Sequence, residues 1–130
     1  MIEIDLRSRT PMYEQVVQRI KDKIIRGELQ TDEQLPSVRE LSALLAINPN
    51  TIQKGFSRLE EEGFIYSVRG RGNFVMKLDA AVIKLEKEQI LSDLDEVLQN
   101  CRRLNITERE VLERVKSYAL EEKERREEDD

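Results

Sequence analysis

Apolar residues recur at helical spacing in three separate runs over the first half of the chain. Tyr13, Val16, Val17, Ile20, Ile24 and Ile25 step by three and four, so they share one face of an amphipathic helix. Thr10 before Pro11 predicts an N-cap with proline at the first helical position, and Gly27 predicts the stop, with Leu29 folding back on the last turn. Val38, Leu41, Leu44 and Leu45 supply the buried stripe of a short second helix. It is opened by Ser37 and Glu40, a pair spaced so that hydroxyl and carboxylate each satisfy a free backbone N–H. After the compact turn Ala46-Ile47-Asn48, Asn48 and Pro49 repeat the cap-and-proline logic. The third helix, about residues 49–62, turns Ile52, Phe56 and Leu59 inward and ends near Gly63.

The period then changes. Phe64 to Val68 and Asn73 to Met76 are short and rich in aromatic and β-branched residues, and Arg69-Gly70-Arg71-Gly72 lies between them, which predicts a hairpin with a basic tip. The glycine pair is no phosphate-cradling loop, because such loops lead from a strand into a helix and this one leads into a second strand. Beyond Lys77, Val82, Ile83, Ile90, Leu91, Leu94, Val97, Leu98 and Cys101 outline a helix of roughly 22 residues, about 33 Å long. Thr107 and Glu110 cap a last helix carrying Val111, Leu112, Val115, Tyr118 and Ala119, which is expected to fray into the charged run Glu121 to Asp130.

The predicted fold is therefore mostly α with a small β-hairpin: a winged helix-turn-helix over residues 1–76, followed over 77–130 by a two-helix dimerisation tail that ends in an acidic frayed segment. A helix that enters the major groove needs short polar or amide side chains near its N-terminus, and Asn50, Thr51 and Gln53 suit that task. Arg39 and Lys54 suit phosphate contacts, Arg58 fits either group, and Ser37 is a further candidate DNA-binding residue. Arg69, Gly70, Arg71 and Gly72 read as a wing laid along the backbone or into the minor groove.

Charge refines this picture. The net charge of −5 is unevenly distributed: residues 1–76 carry 11 basic and 11 acidic side chains, whereas 77–130 carry 11 basic and 16 acidic. The acidity belongs to the tail, and phosphate attraction depends on which face carries the cations. The chain has no histidine, which removes the usual general base and zinc ligand, and its one cysteine, Cys101, is expected to be a small buried apolar residue. No enzyme motif, metal site or cofactor site is expected. Nor is there a leader or a long uncharged apolar run, so a cytoplasmic protein without membrane contact is expected.

Residues 11–76 resemble the winged-helix domain of GntR-family bacterial transcription regulators. The resemblance rests on Leu35-Pro36-Ser37-Val38-Arg39-Glu40-Leu41, Asn48-Pro49-Asn50-Thr51-Ile52-Gln53-Lys54, Leu59-Glu60-x-x-Gly63 and Arg69-Gly70-x-Gly72-x-Phe74-Val75. It implies operator contacts from Arg39, from Asn50, Thr51 and Gln53, and from the wing at Arg69 to Gly72. Thr31-Asp32 stands where members commonly have Pro-Gly, and Pro49 stands where one large branch has a base-reading arginine, so that branch's operator is not implied. The 54 residues after Met76 are similar in length and helix pattern to the tail of the YtrA-like short subfamily, whose members act as dimeric repressors.

A dimer also follows from physics: Ile83, Ile90, Leu94 and Val97 would form an exposed apolar face in a monomer, and pairing two such helices hides it. The expected function is a sequence-specific DNA-binding transcriptional regulator, a homodimeric repressor on an inverted-repeat operator in double-stranded DNA. A small-molecule effector of unassigned identity is allowed for. The alternative is a winged-helix protein–protein adaptor without specific DNA binding.

Overall fold

The computed structural model describes residues 2–129. The elements, in chain order, are α1 (Met12–Ile25), α2 (Val38–Leu45), α3 (Pro49–Glu61), β1 (Ile65–Val68), β2 (Gly72–Val75), α4 (Ala80–Arg103) and α5 (Glu108–Asp129). Two compact units divide them, Met1–Lys84 and Leu85–Asp130.

The first unit closes around a single core. Val16, Val17, Ile20 and Ile24 of α1 meet Leu41 of α2, Ile52, Phe56 and Leu59 of α3, and Phe64, Ile65 and Val75 of the hairpin. Gly55 lets α3 lie close on α1: a Cβ there would already stand 3.4 Å from the Tyr13 carbonyl and 3.5 Å from a Val16 methyl, so a larger side chain would push the helices apart. Leu78 and Val82 pack on the same core, which carries the unit past β2 into the first turn of α4.

Several local expectations change. Helix α1 starts at Met12 with Pro11, not Thr10, in the cap position and without a side-chain cap, since proline has no side-chain acceptor to offer; the Thr10 carbonyl accepts from the Gln15 amide at 3.0 Å. Ile25 and Leu44, expected on buried stripes, are exposed; an eight-residue α2 buries Leu41, with Val38 and Leu45 partly covered. Cys101 is half-buried. The charged end of α5 stays helical through Asp129, helped by strong helix formers and by Glu122 paired with Arg126 at 3.5 Å across one turn. Asp130 lies outside the described residues.

A partly buried ion pair between α1 and the C-cap of α3 ties these helices together. The Lys21 ammonium meets Glu62 and lies 5.1 Å from the centre of the Phe64 ring, and Glu62 also accepts from Arg58 Nε at 3.2 Å. Burial pushes the Glu62 carboxyl up, but the hydrogen bond and charge of Lys21, then those of Arg58, outweigh it and hold the group below the ordinary glutamate range. A depressed carboxylate adds stability that is complete above its unfolded value, about 4.3, and is lost as pH falls through the folded one. Glu62→Gln is expected to cost about 1–2 kcal/mol near neutral pH, less than for a fully buried pair because the Glu62 side chain keeps 31% of its exposure. In urea titrations at several pH values, the gap between wild type and variant should close below pH of about 4.

Among the described residues, the second unit has no such core. The helical residues of α4 are nowhere buried, and α4 and α5 do not pair along their lengths. Asn105, with φ of 59°, turns the chain between them, and Thr107 caps α5 by accepting from the Glu110 N–H at 3.2 Å.

Candidate nucleic-acid interface

The helix-turn-helix is fixed by bonds made within its own short segment. The Ser37 hydroxyl accepts from the Glu40 N–H at 3.0 Å and starts α2. Ala46 enters the left-handed region at φ of 54° and ends α2. The Ser42 hydroxyl then donates to the Ile47 carbonyl, while the Ile47 side chain is buried. Asn48 accepts from the Asn50 N–H at 2.8 Å, and Pro49 occupies the first helical position without wasting a donor. A turn of three residues is thus locked at both ends, which fixes the direction in which α3 leaves.

The outer side of α3 is polar. Asn50, Gln53 and Lys54 are exposed and Thr51 is half-exposed. Gln53 donates to the Ser57 hydroxyl at 3.3 Å, so its amide lies along the helix. The Lys54 ammonium stands 4.0 Å from the centre of the Tyr13 ring. Arg58 is drawn the other way, over α1. Its guanidinium is 3.2 Å from Glu62 and 3.6 Å from Glu14, with the Tyr13 ring 6.0 Å away. Arg58 therefore already has carboxylate partners, whereas Arg39, Arg69 and Arg71 are exposed and belong to no ion pair among the described residues.

The hairpin pairs Ile65 with Val75, Tyr66 with Phe74, Ser67 with Asn73 and Val68 with Gly72. Arg69, Gly70 and Arg71 form its tip, closed by the Arg71 N–H on the Val68 carbonyl at 2.9 Å. Gly72 has φ of 120°, and a Cβ there would stand 3.0 Å from the Gln34 amide nitrogen. Both facts favour glycine. Gln34 braces the tip by donating to the Arg71 carbonyl at 2.7 Å.

That brace was not legible in the sequence. Residues 32–35 run beside β2, with Asp32 N–H on the Val75 carbonyl at 2.8 Å and Leu35 N–H on the Asn73 carbonyl at 2.9 Å. Four residues without alternation carry no strand signal. Asp32, where Pro-Gly was the expected pattern, adopts φ of 68° and so keeps the backbone that glycine would supply. Its carboxylate accepts from the Tyr66 phenol at 2.8 Å, a bond that raises the phenol's pKa, and Tyr66 stacks on Phe74 with ring centres 5.6 Å apart. Tyr13 has the spacing of the buried stripe, yet it is half-buried and acts as a platform for two cations.

Among the described residues, no group of three or more His, Cys, Asp or Glu is placed to hold a metal ion. No helix there is long and apolar enough to cross a membrane.

Residues 12–75 match the family model described as "Bacterial regulatory proteins, gntR family". The chain is 47% identical over 75 residues to the HTH-type transcriptional repressor YtrA of Bacillus subtilis, a match that covers 58% of each protein. It is 32% identical over 112 residues to the uncharacterized HTH-type transcriptional regulator YhcF of the same organism, covering 86% of this chain and 93% of YhcF. Among solved structures, the DNA-binding domain of AraR in complex with operator ORX1 superposes with a TM-score of 0.53 at 30% identity. That superposition covers 57% of this chain and 95% of the AraR domain.

Proposed function

The chain belongs to the GntR family of bacterial regulatory proteins, and from that membership we propose that it is a homodimeric transcriptional repressor that occludes a promoter by gripping an inverted-repeat operator. The single observation that carries this reading is the outer face of α3. There Asn50 and Gln53 are exposed on a helix whose start is fixed by the Asn48 cap, and α2 and the hairpin tip present arginines that no carboxylate among the described residues pairs with. An amide at the N-terminal end of a groove-entering helix can take the paired donor and acceptor of adenine, with Thr51 beside it. Arg39, Lys54 and the Ser37 hydroxyl, which still has its proton to donate, take phosphates. Arg69 and Arg71 follow the backbone or minor groove from a tip shaped by Gly70 and Gly72. Arg58, committed to Glu14 and Glu62, holds α3 on α1 and stands at the edge of the contact. AraR, bound to its operator through the same kind of domain, supports the assignment of DNA as partner.

In this reading residues 1–76 bind DNA and the region from 77 onward forms the pair. From Ile90 the steps to Leu94, Val97, Cys101 and Leu104 are four, three, four and three, the spacing of a helix seam that packs against another helix. Ile83 continues it one heptad before Ile90. Two α4 helices so joined set the recognition helices about one DNA turn, or a multiple of it, apart. The protein acts on DNA and is placed in the cytoplasm. A recess of about 510 Å3 at the end of α1, lined by Ile24, Leu29, Thr31, Val75, Met76 and Leu78 among others, offers room for a small-molecule effector of unassigned identity.

The test is a footprint and mobility shift on the chain's own upstream region against scrambled duplex of equal length. Several kcal/mol of preference for the upstream region, with affinity falling steeply as salt rises, is the expected result. Equal shifts on both duplexes at all salt concentrations would leave the adaptor reading instead.

A further inference from the structure

The chain ahead of α1 is clasped to it. Gln15 is 4% exposed and uses its whole amide: Oε1 accepts from the Asp5 N–H at 2.8 Å, and Nε2 donates to the carbonyls of Asp5 at 2.9 Å and Thr10 at 3.0 Å. Arg19 Nε donates to the Glu3 carbonyl at 3.2 Å, and Ile2 and Ile4 pack on the core. Residues 3–5 therefore run back along α1 from Arg19 toward Gln15, and residues 6–9 turn over its N-terminal end. The turn is bonded internally, with the Arg7 N–H on the Asp5 carboxylate at 2.9 Å, the Ser8 N–H on the Asp5 carbonyl at 3.3 Å and the Thr10 N–H on the Ser8 hydroxyl at 3.1 Å.

This held turn presents Arg7 and Arg9 to solvent, and neither enters an ion pair among the described residues. It also sits at the end of α1 that abuts the recognition helix. Tyr13, three residues on from Thr10, places its carbonyl against Gly55 and its ring under the Lys54 ammonium. A loop tied down by a buried amide, carrying two uncompensated arginines beside the base-reading helix, has the make-up of a phosphate clamp: ordering its side chains costs less than on a free arm.

We propose that the turn Leu6–Thr10 is a third DNA-contacting element, in which Arg7 and Arg9 take backbone phosphates flanking the groove entered by α3. Lys54, steadied by Tyr13, continues that row onto the helix. The proposal rests on the DNA-binding reading above. Phosphates are the target because the side chains offered are two long guanidinium groups and a Ser8 hydroxyl already accepting from the backbone, with no free amide to read a base edge.

The experiment compares full-length wild type with Arg7→Ala/Arg9→Ala and Arg7→Lys/Arg9→Lys on upstream and scrambled duplexes across a salt series. The alanine pair removes two arginines from each protomer, so it is expected to lower the slope of log K against log salt by about four units for the dimer and to weaken both duplexes alike, leaving their ratio unchanged. The lysine pair should recover most of the slope, and all three proteins should melt together. A wild-type slope and affinity in the alanine pair would overturn the clamp while leaving the regulator reading intact. A changed ratio between duplexes at constant slope would also overturn it, since that is base reading. Wild type that binds neither duplex would sink both readings at once.

Discussion

Leu94→Glu is expected to yield a helical but monomeric protein whose operator affinity falls by at least about 100-fold, because linking two half-site contacts multiplies affinity by that order or more. Leu94 is 46% exposed and Val97 55%, with Ile90 at 64% a turn earlier, so the face is open in the single chain. A face of this kind is hidden by a second copy or becomes a site of unwanted association. Glutamate at its centre places two like charges across a two-fold seam, and on a tail already carrying five excess acids the repulsion has no nearby cation surplus to absorb it. Sedimentation equilibrium checks the mass and a mobility shift checks the affinity. The winged unit should keep its melting behaviour, since its core draws no residue from beyond Lys84. A dimer that survives the substitution would move the interface elsewhere, with α5 and its exposed Val115 and Tyr118 the next place to look.

The winged unit was readable in the sequence because each of its helices is delimited by local chemistry. Ser37, Asn48 with Pro49, and Gly27 act within a turn of where they stand, and the structure finds them at those boundaries. What stayed hidden depends on residues far apart. Gln34 reaches the hairpin tip across 37 positions and Gln15 reaches back ten to Asp5, and neither bond leaves a periodic trace. Arg58 illustrates a further limit. Its spacing on α3 resembles that of a DNA-facing cation, and only the arrival of Glu14 from α1 and Glu62 from the helix end separates it from Arg39.

The division of labour between helix and wing leads to the other large effect. Asn50→Ala with Gln53→Ala should remove most of the preference for operator over scrambled duplex, about 1–3 kcal/mol for each amide that reads a base pair, while leaving the salt slope as it was. Neither residue is charged, and neither side chain enters the core, so affinity for scrambled duplex and thermal stability should hold. Arg71→Ala is expected to do the reverse. It should weaken every duplex by a similar factor and reduce the salt slope by about two units for the dimer, about one per wing, because a wing guanidinium displaces a counterion without reading a base. Fluorescence anisotropy on both duplexes over a range of salt separates the two signatures. If the amide pair lowers the slope, or Arg71→Ala erases the operator preference, then base reading sits in the hairpin and α3 lies along the backbone. The cap at Asn48 and the lock at Ile47 would then serve to position the wing instead of a reading helix.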